Sequence, residues 1–369
     1  MQVGVLGAGI VGLATAWQLQ REGHSVTVVD RATPGAGASG GNGAQLSYSY
    51  VQPLADPALW RQLPALLLSA DSPLKIRPAW DPDQWRWALR FLAACNASTS
   101  QQTTARLLAL ASESRIGFEA MRADAQLDCD FSATGKLVLY PDARSFGAAG
   151  RQMELQRALG CAQTAVDAGE CVAIEPALAA YQSHIAGAIH TPSECAVDGQ
   201  KLCDRLQALL AARGVRFLLH TEVTGAVLRQ RRLAAVTTSQ GDLEADHFVL
   251  AAGAESPAMA RHFGLTLPVY PIKGYSITLD AGSDPNKAPR VSVTDSARKI
   301  VFARIGHRLR VAGMAELVGA SLHDMLEDDV LVGGREERSR RDIDLELSGA
   351  AFRLDLVDSD SPDCQHGQT

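Results

Sequence analysis

Within the first thirty residues, MQVGVLGAGIVGLATAWQLQREGHSVTVVD, a short apolar run, three spaced glycines, a helical stretch, a second apolar run and a carboxylate come one after another. Val3 to Leu6 is short, apolar and stopped by glycine, the pattern of a strand buried on both faces. Gly7, Gly9 and Gly12 then fit G-x-G-x-x-G, in which the first glycine allows a tight turn, the second admits a pyrophosphate and the third lets a helix pack close to the strand. Ile10 to Gln20 has a helical pattern, Gly23 suits a left-handed C-cap, and Ser25 to Val29 alternates into a second strand that ends at Asp30. Asp30 lies eighteen positions beyond Gly12, close to the spacing of a carboxylate that takes a ribose 2′-hydroxyl. Glycines in this pattern also mark ordinary turns. Strand, helix, capping glycine and acid in register make a dinucleotide-binding turn the better reading.

The seventeen residues Val3 to Leu19 carry no charge, so a signal peptide or membrane span has to be weighed. A secretory signal wants a basic leader and a small-residue cleavage site, and only Met1 and Gln2 precede the apolar run. A span this rich in glycine is marginal in length. The expectation is a chain without a targeting segment, held in the cytoplasm.

A chain of 369 residues, 46% hydrophobic, can bury a large core, and two interleaved domains are expected. The seven cysteines (Cys95, Cys129, Cys161, Cys171, Cys195, Cys203 and Cys364) are odd in number, scattered and free of C-x-x-C, so reduced thiols are expected. The nine histidines lack ligand spacing, and no metal is expected. No basic run with interleaved aromatics is present, which argues against a nucleic-acid partner.

Nicotinamide and flavin enzymes share this opening turn, and the residues after Asp30 separate them. The stretch RATPGAGASGGNGAQLSYSY has five glycines and no helical period from Thr33 to Gln45, where a nicotinamide enzyme would continue with a helix and strand. Two readings are open: backbone wrapped around a ligand, or a disordered surface loop. A second clue lies far along the chain. Asp198 suits an N-cap for a helix over Gly199 to Ala212, with Leu202, Leu206, Leu209 and Leu210 on one face and Gly214 as its stop. Strands are expected over Val215–His220, Thr221–Arg229, Leu233–Ser239 and Phe248–Ala252, the last ending at Gly253. The nucleotide-binding sheet is therefore expected to resume more than 150 residues after it began.

The segment GVRFLLHTEVTGAVLRQRRLAAVTTSQGDLEADHFVLAAGAES resembles the second nucleotide-proximal segment of D-amino acid oxidase-like flavoproteins. GASGGNGAQLSYSYVQPLADP, CVAIEPAL, AGAIHTPSECAVDGQKLC, VYPIKGYSITL, APRVSVTDSARKI and RLRVAGMAEL narrow the resemblance to the bacterial D-amino acid dehydrogenase small-subunit family. It runs from Met1 to about Gly319. The implied fold is α/β: a Rossmann-like FAD-binding domain (1–50 and 145–262) interleaved with an α+β substrate domain on a mostly antiparallel sheet (51–144 and 263–319). The implied cofactor is FAD. Val3, Gly7, Ala8, Gly9, Ile10, Val11, Gly12, Asp30 and Arg31 would hold its ADP half. Ser39, Asn42, Gly43, Gln45 and Leu46 would run beside the flavin or its ribityl chain. Val223 would meet the adenine, and Ala252 with Gly253 the pyrophosphate; core packing is an equal reading for Val223 and Ala252.

The chemistry the resemblance implies is oxidation of a D-amino acid, D-alanine among the expected substrates, by hydride transfer to flavin N5. The imine then hydrolyses to a 2-oxo acid and ammonia, and the electrons pass to a quinone or another respiratory-chain acceptor. The substrate carboxylate needs a partner, and an arginine fork with a tyrosine hydroxyl suits it. Tyr275 and Lys273 share one face of a strand over Val269–Leu279 and are the candidate groups, with Arg304 and Arg310 behind them. An exposed strand face is the plainer reading of Lys273. Tyr48 and Tyr50 also alternate on one face. Trp60, Trp80, Trp85 and Trp87 fall in a proline-punctuated stretch that reads as a substrate or quinone lid, or more plainly as a packed helical cap. Peripheral contact with the inner face of the plasma membrane is compatible with both.

The tail departs from the family. From Ala320 to Thr369 there are thirteen acidic and five basic residues, a net of −8 in a chain of net −6, and no G-L-R-P-like or G-H-G-like block. A poorly ordered acidic tail or a translated frameshift is expected there, the abrupt change favouring the frameshift. That loss raises an inactive remnant as the rival to an active dehydrogenase. A glycine, sarcosine or proline oxidase on the same frame is the other alternative.

Overall fold

The computed structural model describes residues 1–317 except 52, 61–73, 77–78, 126, 231 and 282–287, and the side chains of residues 74, 75 and 125. The tail and the middle of the proline-punctuated stretch lie outside the described residues.

The chain opens with β1 (Gln2–Leu6), α1 (Ile10–Arg21) and β2 (Ser25–Val29), then short strands β3 (Gln45–Leu46) and β4 (Leu74–Ile76). Helices α2 (Pro82–Ala94) and α3 (Ala97–Ala125) precede β5 (Lys136–Tyr140), α4 (Ala143–Arg157), β6 (Thr164–Val166), α5 (Ala168–Ile174), β7 (Gly187–Thr191) and β8 (Cys195–Ala196). Next come α6 (Gly199–Ala212), β9 (Arg216–Leu218), β10 (Val223–Arg229), β11 (Arg232–Thr238), β12 (Gly241–Glu244), β13 (His247–Leu250) and α7 (Ser256–His262). The last described strands are β14 (Lys273–Asp280), β15 (Ser292–Asp295), β16 (Ile300–Ile305) and β17 (Arg308–Leu317). Asp81, Asp142, Asp167 and Asp198 cap α2, α4, α5 and α6, each carboxylate accepting first-turn backbone N–H groups that the helix leaves unbonded.

Strands β13, β1, β2 and β9 form a wholly parallel sheet in that order, so the chain leaves β2 and returns to the sheet only at β9 and β13. Helices α1 and α6 pack on it. Val5, Leu13, Ala16, Trp17, Val28, Leu202, Leu206 and Leu210 form the shared core, each large side chain contributing on the order of 1.5–3 kcal/mol by leaving water. Strands β10, β11 and β12 make an antiparallel meander beside it.

The second sheet has eight strands: β14-β17-β16-β15-β5-β7-β6, with β4 added along β17. Its pairings are antiparallel except β15 with β5 and β17 with β4. Strands β5, β6 and β7 share this sheet, so the domain boundary expected at residue 145 falls between strands of one sheet. One sheet face carries the core of Leu137, Leu139, Val293, Phe302, Leu309 and Val311 against Leu178 and Tyr181. Because side chains alternate, the opposite face presents Lys136, Val138, Thr294, Val301, Ala303, Arg310 and Ala312.

Candidate functional site

The carboxyl ends of the parallel strands converge on one crevice, the position at which open α/β sheets bind nucleotides. Gly7 turns there with φ +118°, and a side chain on it would meet the Ala251 carbonyl oxygen at 2.4 Å. At Gly12 a side chain would strike the Gly7 carbonyl oxygen at 1.9 Å, so α1 approaches β1 only through glycine. Gly9 differs: its nearest neighbour is Ser39 Oγ at 3.1 Å. Gly9 has no side chain to cap α1 and no acidic residue sits in the first turn, which leaves the positive helix end toward the crevice. Val11, in that turn, is 66% exposed.

Asp30 closes the second strand of the crevice. Its carboxylate accepts the backbone N–H of Ala8 at 2.7 Å and of Ala32 at 2.8 Å, which uses two of about four acceptor positions. Its backbone pairs with Leu218 and Thr221, bringing the start of β10 and Val223 to the same end of the sheet. Arg31 forms an ion pair with Glu255, just beyond Ala252 and Gly253.

The glycine-rich stretch after Asp30 is a strap laid from the crevice onto the large sheet. Ser39 Oγ accepts the N–H of Ile10 at 3.0 Å, Asn42 Nδ2 donates to the Ser39 carbonyl, and the Asn42 side-chain oxygen accepts the N–H of Ala44. Arg310 donates from Nη1 to the carbonyls of Gly40 and Asn42 at 2.9 and 2.8 Å, and Ser276 Oγ donates to the Gly41 carbonyl at 2.8 Å. Gly43 lies against Val301 and Ala312, so closely that a side chain on it would meet Val301 Cγ2 at 3.1 Å. Gln45 then donates to the Phe302 carbonyl, and Gln45 and Leu46 pair with Ala196 and Cys195.

Past β3 the strap reaches β5. Lys136 Nζ donates to Ser47 Oγ at 3.0 Å and lies 4.3 Å from the centre of the Tyr50 ring. The buried Glu194 carboxylate accepts the backbone N–H groups of Tyr48 at 3.0 Å and Ser49 at 2.6 Å. Burial pushes the Lys136 ammonium down to about 8, against the pull of Glu194. It also raises the Glu194 carboxyl, although hydrogen bonds from Ser49, Ser47 and Tyr48 and the charge of Lys136 oppose the rise. Tyr50 is raised by burial as well. Thr294 pairs with Val301 across the sheet and so faces the strap; its buried Oγ1 has no hydrogen-bond partner.

The expected residues Gly7 to Gly12, Asp30, Arg31, Ser39, Asn42, Gly43, Gln45, Leu46, Ala252 and Gly253 all lie along the crevice or the strap. Val3 does not. It is a buried residue near the amino end of β1, roughly 13 Å from Gly7 by strand rise, and serves the sheet. Val223 packs with Leu6, Val29 and Leu218 while lying at the crevice end of the sheet.

Tyr275 and Lys273 do share a face: Lys273 Nζ lies 5.4 Å from the Tyr275 ring centre, and Tyr275 Oη donates to Glu316 at 3.2 Å. Ser276 and Thr278 face the strap, however, and alternation turns Tyr275 and Lys273 to the other side of β14. Arg304 is also directed away. It comes directly after the inward Ala303, shares its face with Phe302 and donates to the Ala288 carbonyl at 3.2 Å, so it does not join the strap residues. Arg310 reaches the strap by its backbone carbonyls. Lys136 and Glu194 were not anticipated; the one signal for Lys136 is a lysine opening the apolar run KLVLY, and Glu194 has none.

Comparison with known proteins gives the class. The chain belongs to the DAO family of FAD dependent oxidoreductases, whose model matches residues 2–347, past residue 319 where the resemblance was expected to stop. It is 47% identical over 327 residues to D-amino acid dehydrogenase 2 of Ralstonia nicotianae, covering 87% of this chain and 77% of the relative. It is 42% identical to D-amino acid dehydrogenase of Paramagnetospirillum magneticum, covering 86% and 76%. The fold is shared with glycine oxidase from Geobacillus kaustophilus, at a TM-score of 0.60 and 19% identity over 89% of this chain and 77% of that one.

The protein is an FAD-dependent oxidoreductase of the D-amino acid dehydrogenase type, and FAD is its cofactor. The residues present fit that group. The glycine cradle leaves its open side at Gly9, the helix end is uncapped by carboxylates, Asp30 keeps free acceptor positions, and the orphaned Thr294 hydroxyl faces the strap.

Proposed function

We propose that this enzyme oxidises D-amino acids, D-alanine among them, to 2-oxo acids and ammonia, and passes the electrons to a quinone or another respiratory-chain acceptor. The carrying observation is the continuous strap from Ser39 to Tyr50. It joins the nucleotide crevice to the inner face of the large sheet, so one segment borders both the cofactor and the substrate. In this reading Gly7, Gly9, Gly12 and Asp30 hold the ADP half, and the strap residues Ser39, Asn42, Gly43, Gln45 and Leu46 run beside the rest. FAD, when bound, supplies the electron sink for the hydride leaving the substrate Cα.

The chain's own part is orientation and exclusion of water. The substrate lies beside residues 45–50 where they meet the strap-facing side of β5, β15 and β16, with Tyr48 and Tyr50 as side walls. The functional units we propose are a cofactor unit built on the parallel sheet and a substrate unit built on the large sheet. We place the enzyme in the cytoplasm, with contact at the inner membrane face through α2 and the bend before it, where Trp85 and Trp80 are exposed. Among the described residues no helix is long and apolar enough to cross a membrane.

The test is the visible spectrum of the purified protein, taken without oxygen before and after D-alanine. A flavin spectrum that bleaches with D-alanine and persists with L-alanine supports the assignment. A flavin that D-amino acids leave oxidised while glycine, sarcosine or proline reduces it would reassign the substrate.

A further inference from the structure

The buried amine of Lys136 has no part in holding the nucleotide, yet it closes the far end of the strap. It is 2% exposed, on the strap-facing side of β5, and its partners come from two distant places in the chain. Ser47 Oγ accepts from it, the Tyr50 ring lies over it, and the Glu194 carboxylate, 1% exposed, supplies the opposing charge. Glu194 in turn grips the backbone of Tyr48 and Ser49, and Gln156 Nε2 donates to the Ser49 carbonyl at 3.0 Å. Four consecutive residues are thus fixed to the sheet by a buried amine and a buried carboxylate that share the Ser47 hydroxyl.

We propose that Lys136 is a positioning residue for the substrate side of this site: through Ser47 and Glu194 it holds residues 47–50, and with them the Tyr50 wall, against the large sheet. The proposal rests on the functional reading above. A buried charged pair contributes fixed geometry more dependably than stability, which is what a pocket wall requires. Losing the amine leaves Glu194 with a buried, unbalanced charge, and the strap shifts beyond Leu46 while the nucleotide end stays anchored by Ser39 and Arg310. The groups that bear on this amine are Glu194 beside β8 and Tyr50 on the strap, and Tyr140, on its own strand, acts one step away on Tyr50. Arg115 and Glu119 of α3 act one step away, on Tyr48.

The experiment compares wild type with Lys136→Met and Ser47→Ala, measuring bound flavin, kcat and KM for D-alanine from about pH 6 to pH 10. Both variants are expected to keep the flavin and most of kcat while KM rises about tenfold, the cost of one charge-assisted bridge. The wild-type advantage in KM over Lys136→Met is expected to shrink toward one as pH rises past about 8, because the wild-type amine then loses its proton. Taking the ratio removes the titration of the substrate itself. If Lys136→Met does not fold with flavin, Ser47→Ala carries the comparison. An unchanged KM in either folded variant, or a ratio flat with pH, overturns the proposal while leaving the dehydrogenase reading intact. A wild type that holds flavin and oxidises no D-amino acid overturns that reading, and this proposal with it.

Discussion

Arg310 Nη1 donates to the backbone carbonyl of Asn42 at 2.8 Å, joining two residues 268 positions apart. The same guanidinium reaches the Gly40 carbonyl at 2.9 Å and Thr278 Oγ1 at 2.6 Å, so one side chain ties the strap to two strands of the large sheet. Stretches this rich in glycine carry a large entropy cost on ordering, and here the order comes from a buried cation satisfying carbonyls that no strand neighbour takes.

Replacing Arg310 by Met keeps its apolar stem and removes the donors. The folded enzyme is expected to lose on the order of 3 kcal/mol in urea unfolding and most of its bound flavin. Arg310→Lys should recover little, since one ammonium cannot reproduce a planar fork. A variant that keeps both stability and flavin would show that the strap orders without this anchor.

The three glycines of the turn are expected to respond differently to alanine. In Gly12→Ala the new methyl collides with backbone at 1.9 Å, and the protein should unfold or lose several kcal/mol, roughly 3 or more. In Gly9→Ala the only neighbour among the described residues is a serine hydroxyl at 3.1 Å, so the fold should survive, while flavin content should drop if the pyrophosphate approaches this glycine as proposed. Circular dichroism and the flavin absorbance ratio separate the two. Equal flavin in Gly9→Ala and wild type would mean that the cofactor does not pass this glycine.

The nucleotide half was legible because its signals are local. A turn glycine, a cap and a two-residue period each act within a few positions, and α6 runs from Gly199 to Ala212 as its Asp198 cap and leucine spacing require. The substrate half was less so. The period of β14 correctly puts Lys273 and Tyr275 on one face, yet a period alone cannot say which face meets the strap; that depends on pairing with β17, which carries a bulge at the positive-φ residue Met314. Glu194 and Lys136 reach the same stretch of strap only because the fold sets the turn before β8 and the start of β5 on either side of residues 47–49. No spacing in the sequence encodes such a meeting.

Acid should expose a second buried carboxylate. Asp295 is 7% exposed; burial raises its carboxyl, but the N–H groups of Ala297 and Arg298, the Arg298 guanidinium and the Tyr181 hydroxyl outweigh burial, and the net shift is downward. A carboxyl lowered in the folded state contributes stability that is full above the ordinary aspartate value of about 4 and is lost as pH falls through the depressed folded value. Urea unfolding at pH 7 and near pH 3 should therefore show wild type losing more stability than Asp295→Asn, with the variant weaker by about 1–3 kcal/mol at pH 7 and the gap narrowing in acid. Because Asp295 lies in the hairpin that presents Thr294 and Val301 to the strap, the variant should also lose flavin at pH 7 more readily than it unfolds. A gap that stays constant between the two pH values would mean that the carboxylate bonds contribute through shape and not through charge.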